Sequence, residues 1–597
     1  MNEMIKSRLN NLKEYIKNNK IDYFIIPTMD FHNSEYVSDY FKVREYFSGF
    51  NGSNGTLVIS KNMVGLWTDG RYFLQASQQL EETGIVLFRM GEENVPTILE
   101  YIEKEIKPSQ IIGFYGKTMS ASFGKKIELL AEKKTAHIIY DLSPANDLWK
   151  NRPCLPASKG WILEKKYAGK SYKDKVQNVR MLMTQNDSEY LVLSKLDDIM
   201  WLYNLRGSDI ACNPVLLSYS LISKEKSFLF LQKESITANL EKYLSDNQIQ
   251  WYDYSDFFLF LQNFSFNGKI WIDSEHSNYT LYKIITNKKL FIDKQNPIVL
   301  LKSIKNEIEQ DLIREIYLKD SVAVTKFIYQ ILKELPMVTH TEVSAASIVN
   351  NYRKEIEGFL DYSFPTISAY AENAAIIHYE PGEKKVELMN KGLLMVDSGG
   401  QYLKGTTDVT RTIALGEIRE IERLHYALVC TGMLNLQNAK FIYGTTGKNL
   451  DILARLPLWE KELDYKHGTG HGIGFVLNVH EGPQSIRWND ISKQSETVFE
   501  DGMVISDEPG IYITGSHGIR IENILLCKRC NESDFGTFMN FEPLTYVPLD
   551  SNILERKFLT EDSIQKINAY QQKVFEKISP FLTQDEQKWL KNYTKKI

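Results

Sequence analysis

Few features of this chain would suit it to an oxidising or membrane environment. It has five cysteines in 597 residues, Cys154, Cys212, Cys430, Cys527 and Cys530. They are too few and too scattered for a disulfide framework, so a reducing cytoplasm is expected. No uncharged apolar run reaches the roughly 18 residues that a membrane span needs. The N-terminal stretch MNEMIKSRLNNLKEYIKNNK interrupts every apolar run with polar residues, whereas a secretory leader needs about 7–15 apolar residues together. Charge of one sign is not in excess either. The formal net charge of -5 gives no general attraction to nucleic acid or to an anionic membrane. The expectation is a cytoplasmic protein with no nucleic-acid and no membrane partner.

What is present is an ordinary globular mixture, 43% hydrophobic and 25% charged. A single core rarely grows beyond about 250–300 residues, so several domains are expected. The first segment, 1–158, opens with Ile5, Leu9, Leu12 and Ile16 at helical spacing, followed by the buried-strand pattern YFIIP. It ends at the two prolines of Asn151-Arg152-Pro153-Cys154-Leu155-Pro156. The second, 159–303, repeats the helix-then-strand plan with KDKVQNVRMLMTQN, EYLVLS and SFLFLQ. The repeated plan suggests an old duplication, although the letters do not repeat. The third, 304–597, begins with a long amphipathic helix in which Ile308, Leu312, Ile316, Val324, Ile328, Ile331 and Leu332 lie close to one face, stopped by Pro336. Strand candidates between Gly-rich turns follow: GLLMVDSGG, TTDVTRTIAL, MVISDEPG and GIRIENILL. The third segment therefore reads as α+β with curved antiparallel strands.

Of ten histidines in the chain, His378, His467, His471 and His480 fall in this third segment among four unusual acids, Asp397, Asp408, Glu508 and Glu522. Each acid lies in or at the end of an apolar strand pattern. A buried, ionised carboxylate without a partner is very costly, so the acids need cations. Alternation places Arg520 and Glu522 on one strand face, which allows one ion pair and leaves the other acids unneutralised. Asp397 and Asp408 flank a hairpin, SGGQYLKGTT, that would bring them onto neighbouring strands. Four carboxylates with an imidazole form a hard, oxygen-rich set that favours Mn2+ or a similar divalent ion. Four negative charges are better balanced by two ions than by one, and paired ions clamp a hydroxide nucleophile. Two other motifs carry less. His467-Gly-Thr-Gly-His471 lacks the glutamate of HExxH, and its glycines oppose a helix; they suggest a loop where backbone closely approaches a ligand. Cys527-Lys-Arg-Cys530 has no second pair and reads as incidental.

Together these stretches resemble the three-domain, cytosolic-type aminopeptidase P family, the X-prolyl aminopeptidases. The resemblance runs from SGFNGSNGT, WTDGRYFLQA, WLYNLRGSD and NPVLLSY through SFPTIS, AIIHYEP, VDSGGQYLKGTTDVTRT and HGTGHGIGFVLNVHEGP to SDEPG, GIRIEN and FEPLTYVPLD. It implies α/β and α+β architecture: two creatinase-like N-terminal α/β domains without a metal of their own, then a pita-bread α+β metallopeptidase domain. It implies that Asp397, Asp408, His471, Glu508 and Glu522 are the ligands of two divalent ions, with Asp408 and Glu522 bridging. Asp397 would complete one site, and His471 and Glu508 the other. His378 and His480 would face the substrate and help to move protons, and Glu508 would relay a proton to the leaving prolyl nitrogen. His467 would support the pocket, Arg520 would shape it, and Arg71 would reach toward the peptide. The implied reaction is attack of a metal-bridging hydroxide on the carbonyl before a penultimate proline, in a homodimer joined through its catalytic domains. The alternatives are a prolidase limited to X-Pro dipeptides, methionine aminopeptidase, which needs no two large leading domains, and a non-catalytic peptide-binding module on the same fold. Such a module would not be expected to retain all five ligands.

Overall fold

The computed structural model describes residues 2–382, 386–490 and 494–597. The chain divides into two units, Met1–Leu163 with Lys170–Ile298, and Glu164–Gly169 with Val299–Ile597.

In the first unit the predicted periodicities hold. Ile5, Leu9, Leu12 and Ile16 are the buried residues of helix Asn2–Asn18, and YFIIP is strand Tyr23–Pro27. This strand joins a six-stranded sheet in the order Val86–Arg89, Val64–Thr68, Thr56–Ser60, Tyr23–Pro27, Ile111–Phe114, His137–Ile139. The second block builds another, in the order Ile249–Asp253, Ser227–Leu231, Ser218–Ser223, Tyr190–Leu193, Ile270–Ile272, Phe291–Asp293. Numbered within its own sheet, each reads 4-3-2-1-5-6. The senses agree as well: strands 1, 2 and 3 pair antiparallel, and 3 with 4, 1 with 5 and 5 with 6 pair parallel. The repeated helix-then-strand plan thus corresponds to a repeated sheet topology.

The second unit contains the long helix Glu307–Glu334, and Pro336 lies two residues beyond its end. Its buried face runs through Ile313, Ile316, Tyr317, Asp320, Val324, Phe327, Ile328 and Ile331. Ile308 departs from the expectation and is 44% exposed. Five residues ahead of Ile313, it points about 140° away from that face. The strand pairings of this unit are antiparallel, as its Gly-punctuated patterns predict. Strand Leu393–Ser398 lies between Ile367–Tyr370 and Val409–Ala414. A six-stranded sheet follows the order Lys440–Ile442, Gly536–Pro543, Asn523–Ser533, Val504–Asp507, Gly470–Gly472, Glu481–Ile486. Among the described residues, no helix is long and apolar enough to cross a membrane.

The hairpin after Asp397 is tied to the long helix by a buried ion pair. Asp320 accepts from Arg353 Nε at 2.8 Å, Tyr402 OH at 2.7 Å and Thr407 Oγ1 at 3.0 Å, while Arg353 Nη2 reaches Ser398 O at 3.1 Å. Removing one partner strands the other charge in a dry core. Asp320→Ala is expected to cost about 3–5 kcal/mol, read from the urea midpoint of this unit.

A second buried contact gives a pH dependence. His425 Nδ1 and His517 Nε2 share a hydrogen bond of 2.9 Å between helix Glu420–Gln437 and strand His517–Arg520, with Glu422 and Arg419 beside them. Burial first, then the neighbouring ring, pushes His425 down to about 4; burial likewise lowers His517. The folded pKa therefore lies below the unfolded value of about 6.5. Between these values the unfolded chain binds more protons, so stability is lost as the pH falls from about 6.5 toward 4. One such proton changes the stability by up to about 1.4 kcal/mol per pH unit. Urea titrations should show a shallower acid slope in His425→Gln.

Candidate metal centre

Five short segments bring the centre together. Asp397 sits on the middle strand of its three-stranded sheet, between Ile367 and Thr410. Asp408 immediately precedes the paired strand Val409–Ala414. The hairpin thus puts Asp397 on one strand and Asp408 directly before the neighbouring one, one residue short of the expected placement. Glu508 follows strand Val504–Asp507, with its N–H on Thr469 O at 2.8 Å. Glu522 lies in a two-residue break, after strand His517–Arg520 and before Asn523–Ser533. There its N–H donates to Thr410 O at 3.1 Å, and its Oε2 accepts from Thr410 Oγ1 at 2.8 Å. Arg411 fastens this break from behind, donating to the carbonyls of Thr410 and Glu522.

The glycines around His471 correct the sequence reading. Gly470–Gly472 is a short strand, and the close approach is to neighbouring backbone. A Cβ on Gly470 would stand 1.9 Å from Ser506 O, and one on Gly472 would stand 2.2 Å from Glu481 O. Only glycine lets His471 be threaded this tightly between strands. Its N–H donates to Ser506 Oγ at 2.9 Å, and Ser506 Oγ donates to Glu508 Oε1 at 3.1 Å. His471 Nδ1 bonds Gly472 O at 3.0 Å, which fixes the ring and turns Nε2 inward.

Nε2 lies 3.2 Å from Glu508 and 3.7 Å from Asp408. One ligand atom each from Asp408, His471 and Glu522 fall within 4.8 Å of one another. Burial first, and then the surrounding carboxylates, hold Asp408 and Glu522 well above the usual carboxylate range. Burial opposes ionisation of Glu508 too, yet His471 holds it down at about 2, and Glu508 in turn lifts His471 to about 9 against its own burial. Asp397 Oδ1 and Glu522 Oε1 are buried without a hydrogen-bond partner. Such acceptors suit a cation, whose arrival would displace the His471 proton.

Arg520 pairs with Asp397 rather than with Glu522 as its strand face suggested, because the strand ends at Arg520. Its Nη1 donates to Tyr512 OH at 2.8 Å, and Tyr512 OH lies 2.8 Å from His467 Nε2. His467 Nδ1 faces Gly468 O at 2.7 Å. Burial pushes this imidazole down to about 4. It is therefore a neutral ring accepting from Tyr512, at the end of a chain from Asp397 through Arg520. His480 stands edge-on to His471, with ring centroids 4.3 Å apart. His378 follows Ile377, whose carbonyl accepts from Arg520 Nη2 at 3.4 Å. Arg71 belongs to the first unit, where its Nε and Nη2 grip Asp69 at 2.8 Å each. Cys527 is buried and Cys530 exposed on one strand. Sequence reasoning missed Tyr512, Thr410 and Ser506, whose hydroxyls orient the acids and histidines; nothing in their local pattern sets them apart. It also passed over Asp507, next to Glu508, which burial first and then Glu522 and Glu508 push well above the usual carboxylate range.

Hard oxygen donors and one imidazole, gathered at the ends and breaks of antiparallel strands, are the kind of donor set a metallohydrolase uses. The family models agree: creatinase/prolidase N-terminal domains match residues 8–144 and 151–309, metallopeptidase family M24 matches 311–529, and the C-terminal region of peptidase M24 matches 537–597. Xaa-Pro aminopeptidase 1 of Dictyostelium discoideum is 36% identical over 99% of this chain and 97% of its own. The probable Xaa-Pro aminopeptidase P of Paracoccidioides brasiliensis is 35% identical over 99% of each. The crystal structure of the X-prolyl aminopeptidase from Caenorhabditis elegans, described as a cytosolic enzyme with a di-nuclear active site, superposes with a TM-score of 0.93 at 31% identity. It covers 97% of this chain and 95% of that one. The chain belongs to the Xaa-Pro aminopeptidases, within metallopeptidase family M24.

Proposed function

We propose that this chain is a metallo-aminopeptidase that hydrolyses the bond between an N-terminal residue and a penultimate proline. The observation that carries the reading is the convergence of Asp408, His471 and Glu522 within 4.8 Å, beside Glu508 and two orphaned carboxylate oxygens, in a chain related over its whole length to Xaa-Pro aminopeptidases. In this reading Asp397, Asp408, His471, Glu508 and Glu522 would hold two divalent ions, Asp408 and Glu522 being the acids that could serve both, and Mn2+ suits the donor set. Bound there, the ions supply Lewis acidity and a water nucleophile at neutral pH. His480 and His378 hold the scissile carbonyl and the proline side. Glu508 receives a proton and passes it to the prolyl nitrogen. That nitrogen, like any amide nitrogen, must be protonated to leave as a neutral amine. His467, through Tyr512, and Arg520 keep the wall of the site in place. Arg71 is assigned to the peptide.

The same reading assigns 1–158 and 159–303 to creatinase-like domains and 304–597 to the catalytic domain. It makes the protein cytoplasmic and a homodimer through the catalytic domains. The test is a comparison of Arg-Pro-Pro with a plain X-Pro dipeptide. The tripeptide should be cut after its first residue at the higher kcat/KM. Preference for the dipeptide would make the protein a prolidase, and cleavage of neither would remove the enzymatic reading.

A further inference from the structure

Each proposed substrate-facing histidine is followed directly by a residue whose side chain is anchored in the interior. After His378 comes Tyr379, whose hydroxyl donates to Glu342 Oε2 at 2.6 Å. Glu342 is 1% exposed, at the start of helix Glu342–Lys354. Its other oxygen accepts from Tyr370 N–H at 2.7 Å and Asn373 Nδ2 at 3.0 Å. One carboxylate thus closes the segment 370–379 at three points. Arg520 reaches the same segment from the metal side, at Ile377 O.

After His480 comes Glu481, whose side chain is 3% exposed. Lys302 Nζ lies 3.2 Å from Glu481 Oε2, Lys305 Nζ bonds Oε1, and the two lysine side chains are 1% and 0% exposed. The lysine segment is itself fixed, since Lys305 N–H donates to Gly502 O at 2.9 Å.

Buried charge is a poor source of stability, because an apolar replacement of equal volume is often as good. What it provides is direction. Consecutive Cα atoms are about 3.8 Å apart, so fixing residue i+1 fixes the backbone of residue i. We propose that Glu342, acting on Tyr379, and the Lys302–Glu481–Lys305 triad are positioning residues that hold His378 and His480 at the reacting peptide. The inference rests on the reading of His378 and His480 as substrate-facing. Misplacing a catalytic group by about 1 Å can cost roughly 10²-fold in rate.

The experiment uses the metal-loaded, full-length protein with an X-Pro-Pro peptide. Tyr379→Phe removes a single hydroxyl and is the mildest variant; Glu342→Gln keeps the shape of its side chain. Each should lower kcat by roughly 10-fold to 10²-fold with metal content unchanged. The double variant should be no worse than the worse single, because both remove one interaction. Lys305→Arg should retain much more activity than Lys305→Met, again at full metal content. Wild-type kcat and KM in Tyr379→Phe and Glu342→Gln would overturn the inference. So would losses that follow the lost metal or folded fraction, or effects that simply add. His378→Ala and His480→Ala are measured alongside. If they retain activity, the reading of the histidines fails; if they lose it while the anchor variants do not, the positioning inference alone fails.

Discussion

Asp408→Ala is expected to reduce kcat/KM for an X-Pro-Pro peptide by roughly 10⁴-fold, equivalent to about 5 kcal/mol of transition-state stabilisation. The magnitude follows from the position of the side chain. Asp408 is 4% exposed, its oxygen lies 3.7 Å from His471 Nε2, and its ligand atom falls within 4.8 Å of those of His471 and Glu522. It contributes charge at the point where two cations would be shared, so alanine should lower metal content as well as rate. The fold should survive, because an acid that burial and its neighbours hold well above its usual range is a net burden on the metal-free protein. Metal analysis, steady-state kinetics and urea unfolding of the same preparation check the three statements. Near-normal turnover would remove Asp408 from the centre.

His480→Ala is expected to show the complementary pattern, a loss of about 10²–10³-fold in kcat/KM with unchanged metal content. Its ring stands edge-on to the His471 ring at 4.3 Å. It is close enough to meet whatever the centre binds, yet it is not among the residues whose ligand atoms converge. Most of the loss should fall on kcat, because a donor to the scissile carbonyl acts most strongly as charge develops there. Loss of metal in parallel with rate would instead make His480 part of the metal shell.

Much of this was legible in the sequence where the signal is local. Ile5, Leu9, Leu12 and Ile16 announce their helix because burial follows helical spacing, and all four are buried. The pairing of the Asp397 strand with the strand that follows Asp408 is legible because a Gly-rich turn between apolar runs dictates it. What depends on distant parts of the chain was not legible. The 4-3-2-1-5-6 order of both N-terminal sheets is set by long-range pairing, which no local pattern encodes. The glycines beside His471 suggest room for a ligand, but the space is taken by Ser506 O and Glu481 O. Arg520 shares a stretch of sequence with Glu522, yet a two-residue break sends it to Asp397. Glu342, Lys302 and Lys305 look like ordinary solvated helix charges until their burial is seen.

The central claim is tested most directly by stripping the protein of metal and restoring Mn2+ in known steps, while bound metal and cleavage of an X-Pro-Pro peptide are followed together. The account predicts an inactive apoprotein, activity returning with the ions, and a plateau at two per chain. Undiminished cleavage by the metal-free protein, or a plateau in activity with no ion bound at Asp408, His471 and Glu522, would contradict it.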